Sequence, residues 1–298
     1  MRVVITGGSG FIGQHLVRHL CEKHEVKVLD IKQNESLRSI SEFERVDVRD
    51  LKALRKGIKD ADVVIHLAAL IDVRESVRNP SLYAAVNTFG TANVAQACVE
   101  LSVRKLVFAS SCAVYGEPSG DVLDEEMPTN PTNPYGASKL AAEVFLKSIT
   151  ENYTILRITN VYGIGGKGVI PLFVERAIKG KALLVNGTGE QTRDFIYVGD
   201  LIRCFELALT KGNGETINVG FGRTYSINDV IEILREVIPK KLTVKYLPKV
   251  SGEVEKFPRV RIDKMKKVLG FCPKTDLKSG IKMCYQEMVA HEGMLRGQ

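Results

Sequence analysis

Tyr135 and Lys139 stand four residues apart in "NPYGASK". On a helix that spacing puts both side chains on one face, with Cβ atoms roughly 5–6 Å apart. A free phenol, with a pKa of about 10, is a poor base at neutral pH. An ammonium beside it favours the phenolate, so the pair could take a proton from a hydroxyl group. Ser110 and Ser111 close the apolar run in "FASSCAVYG". Ser111 could hold the reacting hydroxyl and share its proton. Taken alone, Tyr135 and Lys139 would read as an ordinary helix pair.

The N-terminus carries a second set. "VVITGGSGFIG" places Gly7, Gly10 and Gly13 between a strand-like and a helix-like run. One glycine permits a tight turn, one lets the backbone approach a pyrophosphate, and one allows close helix–strand contact. The helix start supplies free N–H groups and a positive dipole end. Asp30 closes the next strand, twenty residues past Gly10, where a carboxylate accepts from ribose hydroxyls. It would also repel a 2′-phosphate, so NAD is expected rather than NADP, although Lys32 lies close by. Asp47 and Val48 follow the third strand, where an adenine edge would lie. An oxidised nicotinamide would add a second positive charge near Tyr135.

These residues need a scaffold. "RVVIT", "EVKVLD", "FERVDV", "ADVVIHLAA", "RKLVFAS" and "YTILRIT" read as six strands. The fourth is continuously apolar, as for a strand buried on both faces. Helical spacing fills the gaps: Phe11, Ile12, Leu16, Leu20 and Cys21 share one side of the first helix, a long helix runs from about 80 to 101, and another from about 134 to 150. The α/β alternation predicts a doubly wound parallel sheet, with Ser110 and Ser111 at the carboxyl end of a strand, where ligands bind. After Gly163 the glycines gather and helices are expected near 172–179, 200–209, 227–238 and 277–289. The expected division is a dinucleotide-binding domain over 1–163 and a smaller irregular α/β lobe over 164–298, with 190–222 packing back on the first. A cleft between them is the natural ligand site.

Composition bounds the rest. The chain has 298 residues and 44% apolar residues, enough for a sizeable core. The formal net charge is +7, but lysines and arginines are dispersed, which suits small anionic ligands better than nucleic acid. No apolar run is long enough to cross a bilayer, and "MRVVITGG" does not resemble a signal peptide; a cytoplasmic protein is expected. None of the six cysteines forms a CxxC pair, and the histidines do not cluster, so buried thiols and no metal are expected.

"TGGSGFIG", "HLAA" at 66–69, "NTFGTANV" at 87–94, "SSCAVYG", "NPYGASK", "LRITNVYG", "GTGEQTRDFIYVGD" and "INVG" occur in this order over residues 1 to about 220. In them the chain resembles the extended short-chain dehydrogenase/reductases, in the nucleotide-sugar epimerase and dehydratase group. The resemblance implies that Ser111, Tyr135 and Lys139 are catalytic. It implies NAD held by Gly7, Gly10, Phe11, Ile12, Gly13, Asp30, Asp47, Val48, Leu67, Ala68, Ala69 and Asn87, with Tyr135 and Lys139 at its reactive end. It implies a UDP-sugar met by Ser110, Ser111, Asn160, Arg193 and Glu253, and a homodimer formed through the helices near 80–101 and 135–150. Arg193 could instead pair with Asp194 or Asp200, and Tyr162 and Phe173 could line a pocket or fill the core.

Dehydratases of the group carry an Asp-Glu pair directly after the strand-end Ser or Thr. Cys112 and Ala113 stand there, which leaves epimerisation at sugar carbon 4. UDP-glucose and UDP-galactose are the first candidates; UDP-GlcNAc or UDP-glucuronate, a 4-reductase and a non-catalytic NAD-sensing protein are the alternatives. The group's C-terminal Arg is replaced by Val250 or displaced to Lys249, with Arg259 or Arg261 able to compensate and Glu253 in the ribose-acceptor position.

Overall fold

The computed structural model describes residues 1–118, 120–249 and 256–296, with side chains described to residue 290. Glu253 and Val250 lie outside the described residues. The first half runs β1 (Arg2–Thr6), α1 (Phe11–Leu20), β2 (Glu25–Asp30), β3 (Glu42–Arg45), α2 (Leu51–Ile58), β4 (Val63–His66), α3 (Val73–Arg78), α4 (Pro80–Tyr83), α5 (Gly90–Glu100), β5 (Lys105–Ser111), β6 (Val122–Leu123) and α6 (Pro134–Ile149). The second runs β7 (Tyr153–Ile158), β8 (Asn160–Tyr162), α7 (Val169–Ile178), β9 (Leu183–Asn186), β10 (Thr192–Tyr197), α8 (Val198–Ala208), β11 (Glu215–Val219), β12 (Thr224–Ser226), α9 (Ile227–Val237), β13 (Val244–Leu247), β14 (Arg259–Val260), α10 (Asp263–Leu269) and α11 (Leu277–Arg296).

Seven strands form one parallel sheet in the order β11-β7-β5-β4-β1-β2-β3. The order reverses between β1 and β4, which opens a crevice at their carboxyl ends. Both faces are covered because the strands are apolar on both. Val3 and Ile5 of β1 join a core with Leu16, Val17 and Leu20 of α1, whereas Val4 joins Leu54 and Ile58 of α2, Val94 of α5 and Ala142 of α6. The first of these cores continues through Leu201 and Phe205 of α8, Phe173 of α7, Leu234 of α9 and Ile281 of α11. β11 pairs with β7, so residues from the second half complete the main sheet. The smaller sheets are β12-β10-β8, β13-β9 and β14-β6. Among the described residues no helix is long and apolar enough to cross a membrane.

The long helix expected over 80–101 is interrupted. Between α4 and α5, Ala84–Phe89 make a wide π turn. The Thr91 hydroxyl donates to the Asn87 carbonyl at 2.5 Å. Such turns reposition side chains within a helix, and here the repositioned residue is Asn87. The last helix also runs further than expected, to Arg296 rather than 289.

Candidate active site

The loop after β1 is built around close approach. Gly7 has φ +72°, and a Cβ on it would lie 2.6 Å from the Ala68 nitrogen. A Cβ on Gly13 would lie 2.4 Å from the Gly7 carbonyl, so α1 can dock on the loop only with glycine there. Gly10 caps α1 without a side chain, and the first turn carries no acidic residue, which leaves a positive helix end open. The Asp30 carboxylate accepts from the Ser9 amide at 3.1 Å and the Lys32 amide at 3.2 Å. This draws the end of β2 to the glycine loop. The Ser9 hydroxyl is buried with no hydrogen-bond partner. Asp47 is clamped by Arg49, which lowers its carboxyl pKa, and Val48 packs under α5, where it would meet any Cβ on Gly90. Phe11 lies edge-on to His15, whose Nε2 meets the Ile164 carbonyl at 2.9 Å.

Ser111, Tyr135 and Lys139 meet at the carboxyl end of β5. Ser111 ends the strand and its hydroxyl accepts from the Ala113 amide at 3.1 Å, and it acts on the Tyr135 phenol against the rise of its pKa. α6 starts where it must: Pro134 fixes the first turn, and the Asn133 side chain accepts from the Gly136 amide at 2.9 Å. That start sets Tyr135 opposite Ser111 and Lys139 one turn deeper. Lys139 is 3% exposed, and its Nζ lies over the Phe108 ring at 4.4 Å from the centroid.

The electrostatics differ from the expectation. Burial pushes the Tyr135 phenol up, with the Ser111 hydrogen bond opposing and Cys112 adding to the rise. Burial lowers Lys139 to about 7, with Glu143 opposing. The protein's own groups therefore do not make Tyr135 a phenolate; desolvation outweighs the Ser111 hydrogen bond.

Two expected ligand residues turn inward. Ser110 lies on the opposite face of β5 from Ser111, as strand alternation requires, and its buried hydroxyl donates to Glu143 Oε1 at 2.5 Å. Asn87 is buried. Its amide nitrogen donates to the Leu70 carbonyl at 2.9 Å and Ser138 Oγ at 2.9 Å, and its Oδ1 accepts from the Leu70 amide at 2.8 Å. Both amide hydrogens are committed, so Asn87 acts on the loop of Leu67, Ala68 and Ala69 that it pins to α6. Tyr162 and Phe173 are core residues, each 1% exposed.

Asn160 and Arg193 sit on neighbouring strands, β8 and β10, with Asn160 paired opposite Phe195. Asn160 is exposed. Arg193 leads into the buried Asp194, whose carboxylate accepts from the Phe221 and Gly222 amides at 2.8 and 2.9 Å. Asp200 accepts from the Lys274 and Thr275 amides. Arg261 is engaged by Asp124 at 3.0 Å. Sequence reasoning missed Phe108, His66 and Arg157. His66 links Thr6 at 2.6 Å and Thr91 at 2.9 Å and stacks on Phe108. Since the single hydroxyl proton of Thr91 goes to Asn87, Thr91 accepts from His66 Nε2–H, and burial holds the ring neutral, with its pKa lowered to about 3. Its place inside "HLAA" was the only signal.

Residues 3–220 match the model of the NAD dependent epimerase/dehydratase family. The chain belongs to this family. Among its relatives is the UDP-glucose 4-epimerase of Mycolicibacterium smegmatis, 34% identical, with 94% of this chain and 96% of that protein covered. The crystal structure of UDP-glucose 4-epimerase from Thermotoga maritima with UDP-glucose superposes with TM-score 0.92 at 32% identity, over 98% of this chain and 100% of that one. UDP-glucuronic acid 4-epimerase from Bacillus cereus, solved with UDP-glucuronic acid and NAD, superposes with TM-score 0.89 at 31% identity, over 98% and 100%. As an epimerase/dehydratase family member, the protein uses NAD. The glycine loop, the open end of α1, Asp30 and the orphaned Ser9 hydroxyl fit an anionic dinucleotide.

Proposed function

We propose that the protein is a nucleotide-sugar 4-epimerase, acting first on UDP-glucose and UDP-galactose. The observation that carries the reading is the meeting of Ser111, Tyr135 and Lys139 beside the glycine loop, with Cys112 and Ala113 in place of an acid pair. Cys112 is buried and its thiol donates to the Arg157 carbonyl at 3.3 Å, so it supplies no acid to a substrate.

In this reading Tyr135 takes the proton of the sugar 4-hydroxyl, and Ser111 orients that hydroxyl and relays the proton. NAD, held by the glycine loop and Asp30, would supply the hydride acceptor and donor for carbon 4, and its oxidised ring would add positive charge beside Tyr135. That added charge is what brings the phenol, raised by burial, into working range. Lys139 holds the ribose hydroxyls next to Tyr135. Arg193 and Asn160 hold the diphosphate, Arg through its forked donors, so that the sugar can turn while its handle stays fixed. Residues 1–163 carry the cofactor, and 164–298 carry the sugar nucleotide together with Ser111, Tyr135 and Asn160 of the first part. Glu253 is retained as a ribose acceptor by sequence position.

Leu82, Phe89, Val144 and Phe145 on α4, the π turn and α6 are exposed apolar residues. We assign them to a homodimer in which these helices pair with their copies.

The test is incubation of the purified protein with UDP-glucose, UDP-galactose, UDP-GlcNAc and UDP-glucuronate, followed by analysis of the sugars. Interconversion of UDP-glucose and UDP-galactose is expected, abolished in Tyr135→Phe with NAD still bound. Interconversion of the acetamido or uronate pair alone would move the substrate; none at all would remove the reading.

A further inference from the structure

The strand that carries Arg193 is fastened by that residue's two neighbours. Thr192 and Asp194 flank it on β10, so strand alternation turns their side chains to the face opposite its own. Both grip the same segment. The Thr192 hydroxyl accepts from the Phe257 amide at 3.1 Å and donates to the Phe257 carbonyl at 3.2 Å. The fully buried Asp194 carboxylate accepts from the Val260 amide at 3.4 Å and from the Phe221 and Gly222 amides at 2.8 and 2.9 Å. Gly222 sits at φ +84° in the turn after β11, where a side chain would be strained. Val260 in turn pairs with Leu123 of β6, on the chain between Ser111 and Tyr135. A buried carboxylate satisfied by backbone donors holds them firmly, because losing them would leave it unpaired away from water.

We propose that Asp194 and Thr192 are positioning residues: they clasp residues 257–260 and the turn after β11 onto β10, so that Arg193 meets the diphosphate from a fixed strand. The guanidinium supplies the link. Arg193 Nη1 donates to the Thr192 carbonyl at 2.7 Å, so a shift of Thr192 shifts the donor fork. Tyr225 stands opposite Arg193 on β12, and Thr224 opposite Asp194. The turn held by Asp194 runs directly into that strand, so one carboxylate sets both strands beside the arginine. Neither Thr192 nor Asp194 touches the substrate; both act through Arg193. A clasp that only stabilised the fold would lower the melting temperature and leave affinity unchanged.

This role rests on the diphosphate contact proposed for Arg193, so the test reads UDP binding and includes that residue. Protein with NAD bound is titrated with UDP by calorimetry. Asp194→Asn, which turns one acceptor into a donor facing amides, should weaken UDP binding about tenfold. Thr192→Val, which keeps the shape and loses both Phe257 bonds, should weaken it about threefold, and it carries the test where Asp194→Asn does not fold. With UDP-glucose, KM should rise in both variants while kcat holds. In an Arg193→Met background the two substitutions should add little, because the residue they act through is gone. Equal losses in both backgrounds, or folded variants with a lower melting temperature and wild-type affinity, would reduce the clasp to a structural role. Arg193→Met that binds UDP as tightly as wild type would strike the diphosphate contact, and this role with it. The coupled losses in UDP binding, found in a protein that interconverts no sugar, would strike the epimerase reading and still support the clasp.

Discussion

Lys139 sits in an environment far from its ordinary one. Its folded-state pKa of about 7 lies below the ordinary 10.5. The unfolded chain therefore binds more protons between those values, and stability from this group rises with pH through that window. Below pH 7 the amine is charged and buried, and the penalty is complete. With NAD removed, Lys139→Met should raise stability near pH 6 by on the order of a few kcal/mol, with the gain fading towards pH 10. Thermal denaturation at the two pH values checks this; a variant no more stable than wild type near pH 6 would contradict it. The spacing of Tyr135 and Lys139 was legible because it is a helical repeat. That burial would set both pKa values was not, since desolvation depends on Phe108 and the sheet beneath, which no local pattern reveals.

At the scale of elements, the glycine loop and the start of α6 are set by local chemistry. Both are legible in the residue order itself: glycines at close approaches, Asn133 and Pro134 at a helix start. Gly13→Ala would place a Cβ 2.4 Å from the Gly7 carbonyl and push α1 off the loop. Such overpacking costs about 1–3 kcal/mol. The variant should be purified with little NAD, measured as dinucleotide released on denaturation; wild-type occupancy would show that the loop tolerates the shift. Elements fixed by distant partners were less legible. Strand alternation makes Ser110 and Ser111 face opposite ways, but only Glu143 and Arg157 on other elements decide which faces the core. The π turn that carries Asn87 inward has no sequence signature, because its wide geometry answers to Leu70 and Ser138.

At the scale of the molecule, the strand order was legible as a class from the alternation of apolar runs, and the sheet's seventh strand was not. β11 lies after a long excursion through the small sheets, and its pairing with β7 is set by tertiary packing. The exposed apolar residues on α4 and α6 predict a dimer by light scattering, and Phe145→Arg should yield monomers; a wild-type monomer at micromolar concentration would contradict the assignment. The account as a whole turns on where one hydrogen travels. UDP-glucose carrying deuterium at carbon 4, incubated with the protein in ordinary water, tests that path. The account predicts UDP-galactose with the deuterium still at carbon 4, since hydride leaves and returns within a closed site. Product that has exchanged its carbon-4 label for solvent hydrogen would contradict it.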